Sequence, residues 1–313
     1  MSALPEPAPR EPAPLRRAVG AETVVRARIS PRARIARIFR YHELLVGMVR
    51  KELKIKYKNS ILGFAWSLLN PLLYLVVFYI AFVKVLGSPI PAFPIYLLSG
   101  LLVWNLFSTG LGGATGSVVA NSGLVKKVSF PREILPLASV GSMLVHFFLQ
   151  SLVLFAVIAL VQWSVAWEYI PLLPIALVAL LLVTGALGIL LSAINVYLRD
   201  TQHFLELALL AWFWFTPIVY PFATVDSKKN DGTWYSIFAH IWLLNPITPI
   251  VVVFQRAIYT PHNNKTTGAP LLPHWPYSTY VAYLGLSFLL GLIFLALAVW
   301  VFGRSEANFA EEL

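Results

Sequence analysis

The sequence predicts an all-α integral membrane fold. Six transmembrane helices are preceded by a cytoplasmic amphipathic helix at the membrane interface, with short external or re-entrant helices between the last two spans. Three observations carry this prediction. Of the 313 residues, 58% are hydrophobic and only 12% charged, where soluble domains hold roughly 45 to 50% and about 25%. Mean hydropathy is +0.73, and the uncharged runs 61–83 and 171–198 exceed the ~20 apolar residues needed to cross a bilayer core. The basic charge is gathered at one end: net charge is +10, and residues 1–60 hold 14 of the 24 Lys and Arg against 5 of the 14 Asp and Glu. A soluble enzyme of this length is thereby excluded. The basic stretch has neither an aromatic base-stacking pattern nor a motif for reading DNA, so its expected partner is an anionic membrane surface and not nucleic acid. Cysteine is absent, which removes disulfides, thiolate metal sites and cysteine nucleophiles. The first apolar run begins near residue 61, so no signal peptide is expected.

Residues 1–36 are rich in Pro, Ala, Arg and Glu without apolar periodicity and read as a disordered cytoplasmic tail. The amphipathic helix is expected over 37–60. On a wheel of 100° per residue Tyr41, Leu44, Leu45, Met48, Val49 and Ile55 share one face, and Arg50, Lys51, Lys54 and Lys58 cluster opposite. Glu52 and Lys56 fall on or beside the apolar face and weaken the pattern. The transmembrane domain is expected over 61–303, with spans at 63–86, 95–120, 136–162, 171–198, 202–220 and 277–302. With the N-terminus inside, the cytoplasmic segments carry 19 of the 24 Lys and Arg; Lys84, Lys228, Lys229, Arg256 and Lys265 lie on the other side. That asymmetry satisfies the positive-inside rule and puts both termini, including 304–313, in the cytoplasm. Trp163, Trp167, Tyr277 and Trp300 near span ends suit interfacial belts. Residues 235–259 imitate a seventh span that would put the C-terminus outside, but Pro246 and Pro249 each remove a backbone donor there. The expectation for 221–276 is therefore an external region of short re-entrant or surface-lying helices.

Ionisable groups inside the spans are few. His146 reads as a hydrogen-bonded packing residue and Glu206 as a structural partner of Arg199 and His203; Lys84 sits near a span end, and Asn105, Gln150 and Asn195 are polar. No paired carboxylates, HExxH helix or metal-ligand cluster appears, so neither a catalytic nor a metal site is expected. The chain also lacks GxxxxGK[ST], the phosphate-cradling loop by which it would itself bind ATP. Gly112-xxx-Gly116 has the spacing for close helix packing. Trp66, Trp104, Trp212, Trp214, Phe215 and Tyr220 lie within or at the ends of spans, where they stack on sugar rings in a channel or anchor the protein in lipid; both roles stay open. Between the second and third spans, 121–133 (NSGLVKKVSFPRE) is short, basic and partly apolar. A short helix bearing Leu124, Val125 and Val128, stopped by Phe130-Pro131, suits docking into a groove on a partner.

Six runs, taken together and in order, carry a family likeness: LGFAWSLLNPLLYLVVFYIAF (62–82), FPIYLLSGLLVWNLF (93–107), NSGLVKKVSFPREILPLA (121–138), NVYLRD (195–200), FWFTPIVYP (213–221) and LNPITPI (244–250). From about Tyr41 to the C-terminus the chain resembles the membrane permease of polysaccharide-exporting ABC transporters, the exporters of O-antigen, capsule, teichoic acid and actinobacterial galactan. The resemblance implies a plasma (inner) membrane homodimer of six-helix permeases around a central channel. Two separately encoded ATPase subunits would drive it and hold the ATP and Mg, so this chain would be a transport subunit and not an enzyme. Its cargo would be a polyprenyl-diphosphate-linked polysaccharide, O-antigen-like or cell-wall galactan, moved from the cytoplasmic to the outer side. The helix 41–58 and a coupling loop at 121–133, with Leu124, Lys126, Lys127, Phe130, Pro131, Arg132 and Glu133, would meet the ATPase. Arg50, Lys51, Lys54 and Lys58 would attract the diphosphate headgroup, as polybasic helices attract anionic lipids; ordinary phospholipid fits the same charges. Two other classes stand beside this one. A membrane-embedded glycan or lipid transferase would need a carboxylate or metal cluster that the sequence does not offer, and a structural scaffold would need no ATPase.

Overall fold

The computed structural model describes residues 31–58, 60, 63, 65–87, 90–222, 242–259 and 271–313. Most of the expected tail and much of the expected external region, including Lys228, Lys229 and Lys265, lie outside the described residues. Among the described residues all regular structure is helical. Five helices are long and apolar enough to cross a membrane: Ala65–Val85, Phe93–Ala120, Ile134–Val161, Leu172–Tyr197 and Tyr277–Asn308. In chain order the α-helices are α1 (Pro31–Arg40), α2 (His42–Tyr57), α3 (Ala65–Phe78, continued by a π-helix over Tyr79–Val85), α4 (Phe93–Ala120), α5 (Ser122–Lys127), α6 (Ile134–Val161), α7 (Leu172–Tyr197), α8 (Thr201–Trp214), α9 (Ile247–Tyr259), α10 (Tyr277–Ser305) and α11 (Phe309–Glu312).

Two apolar cores hold these helices, one toward each end of the bundle. The smaller gathers Met48, Val118, Val125, Ile134, Phe302 and Phe309, at the end that carries α1, α5 and the C-terminal α11. The larger runs from the middle of α4 to the opposite end, through Phe93, Tyr96, Phe107, Ile218, Tyr259 and Tyr280. α4 and α7 approach closely because glycine faces a small residue: a Cβ on Gly188 would lie 2.7 Å from the Ala114 Cβ. The spacing Gly112-xxx-Gly116 does not make such a contact. Gly112 has open space beside it and Gly116 is covered by the Gln202 side chain of α8. α3 contributes little to either core; Leu72, Leu73, Tyr74, Val76, Val77 and Ile80 all lie exposed on it.

The N-terminal segment departs from expectation in two ways. Helix begins at Pro31, inside the stretch read as disordered tail, and Tyr41 breaks it into α1 and α2. α2 also packs on protein: Met48 is buried, Leu44, Leu45 and Val49 lie against the smaller core, and Val49 meets Gly141 of α6. Ile55, on the same predicted face, is 59% exposed.

The span expected at 202–220 is helical only as far as Trp214, about 21 Å at 1.5 Å per residue, short of the ~30 Å hydrocarbon core. The chain nevertheless continues along α4 in the antiparallel sense. Gln202 meets Gly116, Ile218 meets Gly100, Trp212 packs on Phe107, Phe213 on Trp104, and Tyr96 donates to the Tyr220 carbonyl (2.7 Å). Helix stops where Pro217 removes a donor, and Thr216 to Val219 are buried. Irregular backbone at that depth requires side-chain partners for its carbonyls. They are present: Gln255 donates to Pro217 O (3.0 Å), Asn245 to Phe215 O (3.4 Å) and Tyr220 to Trp214 O (2.7 Å). Buried Gln255 and Tyr96 are thus the complements of a broken helix.

Pro246 and Pro249 act as the sequence suggests. Among its described residues the apolar stretch is helical at 242–244 and in the 13-residue α9, with Pro246 between the two and Pro249 in the first turn of α9, where donors lack intrahelical partners in any case. Asn245 caps it by accepting from the Ile247 N–H (3.0 Å). At the other end, Ala166 N–H donates to Ala257 O (2.9 Å) and the Trp163 indole to Tyr259 O (2.8 Å), while Tyr259 donates to Pro91 O. These bonds join α9 to the loops before α4 and after α6 at one end of the bundle.

Candidate functional site

The segment 121–133, expected to be a coupling loop, is built around α5, the short helix expected there. Lys126, Lys127, Val128 and Ser129 are exposed, whereas Val125, Pro131 and Glu133 are buried; Leu124 and Phe130 pack against the smaller core. Glu133 does not face outward as a docking residue would. Its carboxylate pairs with Arg34 of α1, and Arg34 also donates to Glu306 after α10 (2.9 Å). Burial first, and the neighbouring Glu306 second, push the Glu133 carboxyl above the ordinary carboxylate range against the opposite pull of Arg34. Arg132 is likewise engaged, donating to the Glu306 carbonyl with its guanidinium over the Phe309 ring (5.8 Å). Fully buried Phe309 closes the assembly. The loop therefore offers a two-lysine surface on a base clamped between the N-terminal and C-terminal helices.

The four cations expected at a lipid headgroup, Arg50, Lys51, Lys54 and Lys58, are all exposed. Lys51 donates to Asn121 Oδ1 (2.7 Å), tying α2 to the start of the loop; the other three have no protein partner among the described residues. The six candidate channel aromatics divide. Trp104 is buried among Phe107 and Phe213, Trp212 donates to Asn245 Oδ1 (2.8 Å), and Tyr220 accepts from the Trp242 indole (2.8 Å), so these three hold the broken span. Trp66, Trp214 and Phe215 are each about half exposed.

A cavity of about 250 Å³, lined by side chains of α2, α3, α4 and α6, was not foreseen. Lys56, Tyr57, Asn105, Thr109, His146 and Gln150 line it with Trp66. Lys56 is exposed as a residue, yet the cavity wall partly desolvates its cation and lowers its pKa; Tyr57 and His146 share a hydrogen bond (3.1 Å), as a packing histidine would. The sequence signal was present in part: Lys56 interrupts an apolar helix face, and Asn105, His146 and Gln150 are polar within spans. Glu206 behaves as a surface residue, 4.0 Å from His203 with both side chains exposed. Among the described residues no group of three His, Asp or Glu gathers as a metal site would require.

The profile of the ABC-2 type transporter family matches residues 43–259, from the start of α2 to the end of α9 and more than half of the chain. The chain belongs to that family. Among relatives of this ABC-2 family member, the O-antigen export system permease protein RfbA of Myxococcus xanthus is 35% identical over 226 residues, 72% of this chain and 84% of that protein. The protein of the same name in Klebsiella pneumoniae is 28% identical over 274 residues, 87% of this chain and 95% of that protein. The polysialic acid transport protein KpsM of Escherichia coli is 21% identical over 218 residues, 66% of this chain and 78% of that protein.

Proposed function

We propose that this ABC-2 family member is the permease of an ATP-driven exporter that moves a polyprenyl-diphosphate-linked polysaccharide from the cytoplasmic to the outer side of the plasma membrane. The observation that carries the reading is the 35% identity to an O-antigen export permease, extending over 84% of that protein. In this reading the chain works as a homodimer with two copies of a separate ATPase subunit that binds ATP and Mg. It crosses the membrane six times, α8 and 215–222 together making the fifth crossing, with both termini cytoplasmic. The convergence of α2, α5 and α11 on one core, with α1 tied there through Arg34, supports that parity, as does the gathering of the loops before α4 and after α6 with the end of α9. Lys126 and Lys127 dock on the ATPase, and Arg50, Lys51, Lys54 and Lys58 meet the headgroup at the inner leaflet. Coexpression with the candidate ATPase tests the reading. Purified permease alone is expected to hydrolyse no ATP, and the copurified complex to hydrolyse it with stimulation by lipid-linked glycan. Hydrolysis by the permease alone, or a permease that never copurifies with an ATPase, contradicts it.

A further inference from the structure

The cavity between α2, α3, α4 and α6 holds polar groups where a bilayer-spanning bundle rarely keeps them without a purpose. Asn105 and Gln150 donate and accept between themselves once, at 3.3 Å, and neither has another protein partner among the described residues; nor does the Thr109 hydroxyl. Whichever way the two carboxamides are turned, one amide oxygen and one amide nitrogen remain open. An occupant that replaces water on both atoms has to donate and to accept. A phosphate oxygen or a lipid chain does not donate; the hydroxyls of a sugar ring do both. The lining contains no carboxylate, and half-exposed Trp66 supplies an aromatic face of the kind that stacks on the C–H face of a pyranose. Lys56 is the only fixed charge in the lining, and it has no acidic partner among the described residues.

We propose that this cavity is a saccharide subsite that takes the sugar ring next to the diphosphate of the lipid-linked glycan, with Lys56 meeting the adjoining phosphate. The proposal rests on the export reading above and adds to it where one sugar is held. It also separates two basic surfaces on one helix. Arg50, Lys54 and Lys58 do not line the cavity, whereas Lys56, exposed as they are, borders the open cavity that reads the first sugar.

The test is equilibrium binding of two radiolabelled probes to the permease–ATPase complex in nanodiscs: farnesyl diphosphate, and the same diphosphate bearing one N-acetylglucosamine. The wild type is expected to bind the glycosylated probe more tightly. Gln150→Leu, which removes the open amide, and Thr109→Leu, which fills space at an exposed position, are each expected to weaken the glycosylated probe about ten-fold while leaving the plain diphosphate within two-fold. Lys56→Met is expected to weaken both probes. If the wild type binds the two probes equally, or the Gln150 and Thr109 variants bind the glycosylated probe as the wild type does or lose both probes equally, no sugar occupies the cavity. Those outcomes leave export intact. A wild-type complex that binds neither probe and exports no glycan overturns the export reading itself.

Discussion

Glu133 and Lys56 show how side chains of the same apparent class in the sequence acquire opposite roles. Glu133 sits in a loop that reads as exposed, yet it is buried against Arg34, 99 positions away, and near Glu306; no local pattern encodes a pairing across that distance. Glu133→Ala leaves Arg34, only 12% exposed, with Glu306 alone, and is expected to destabilise the permease by about 2 to 3 kcal/mol, measured as thermal unfolding in detergent. Glu306→Ala should cost less, because its side chain is 25% exposed and the Arg34–Glu133 pair survives. Lys56 is the converse, an exposed side chain whose cation the cavity wall partly desolvates, without an acidic partner among the described residues. Lys56→Met is therefore expected to match or exceed the wild type in thermal stability at neutral pH. The pH dependence has a definite sign. With its pKa lowered by burial, Lys56 holds its proton less tightly in the folded than in the unfolded chain. Its contribution to stability thus rises as pH climbs from the lowered value toward the ordinary 10.5, and Lys56→Met should lose that slope.

Five long apolar helices were legible because each buries or exposes apolar surface over a run that no other element resembles. The break after Trp214 was not, since TPIVYP is as apolar as the helix before it and differs only in the backbone donor that Pro217 lacks. What stabilises the break is distant: Tyr96, Asn245 and Gln255 supply the missing donors. Asn245 has the most connections, capping α9, accepting from Trp212 and donating to Thr216. Asn245→Ala should loosen α8 and α9 together at a cost of about 1 to 2 kcal/mol for the cap alone, read as increased protease cleavage within 215–247. Asn245→Asp keeps both accepted bonds and should cost less. The loop 121–133 was legible as a short basic helix but not as a clamped one. Lys126→Glu with Lys127→Glu is expected to leave folding intact and reduce ATPase copurification at least ten-fold. Phe130→Ala, which removes packing from the smaller core, should lower the thermal stability of the permease itself.

At the scale of the whole molecule, the charge asymmetry of the sequence and the two ends of the bundle agree on which segments lie together. The absence of cysteine allows the sides to be read one position at a time. Single cysteines at Lys126 and at Trp167, which is 78% exposed, are expected to differ in intact cells: only the one at 167 reacts with an impermeant thiol reagent, and both react after the membrane is opened. Equal labelling in intact cells would invalidate the topology. The central claim, that the chain exports lipid-linked glycan only under power from a separate ATPase, is tested most directly by transport itself. Proteoliposomes containing permease, ATPase and a polyprenyl-diphosphate-linked glycan should show the glycan becoming inaccessible to an external glycosidase when ATP is added outside. Without the ATPase subunit, or with an ATPase unable to hydrolyse ATP, no change is expected. Movement of the glycan by the permease alone, or none with a complex that hydrolyses ATP, would contradict the account.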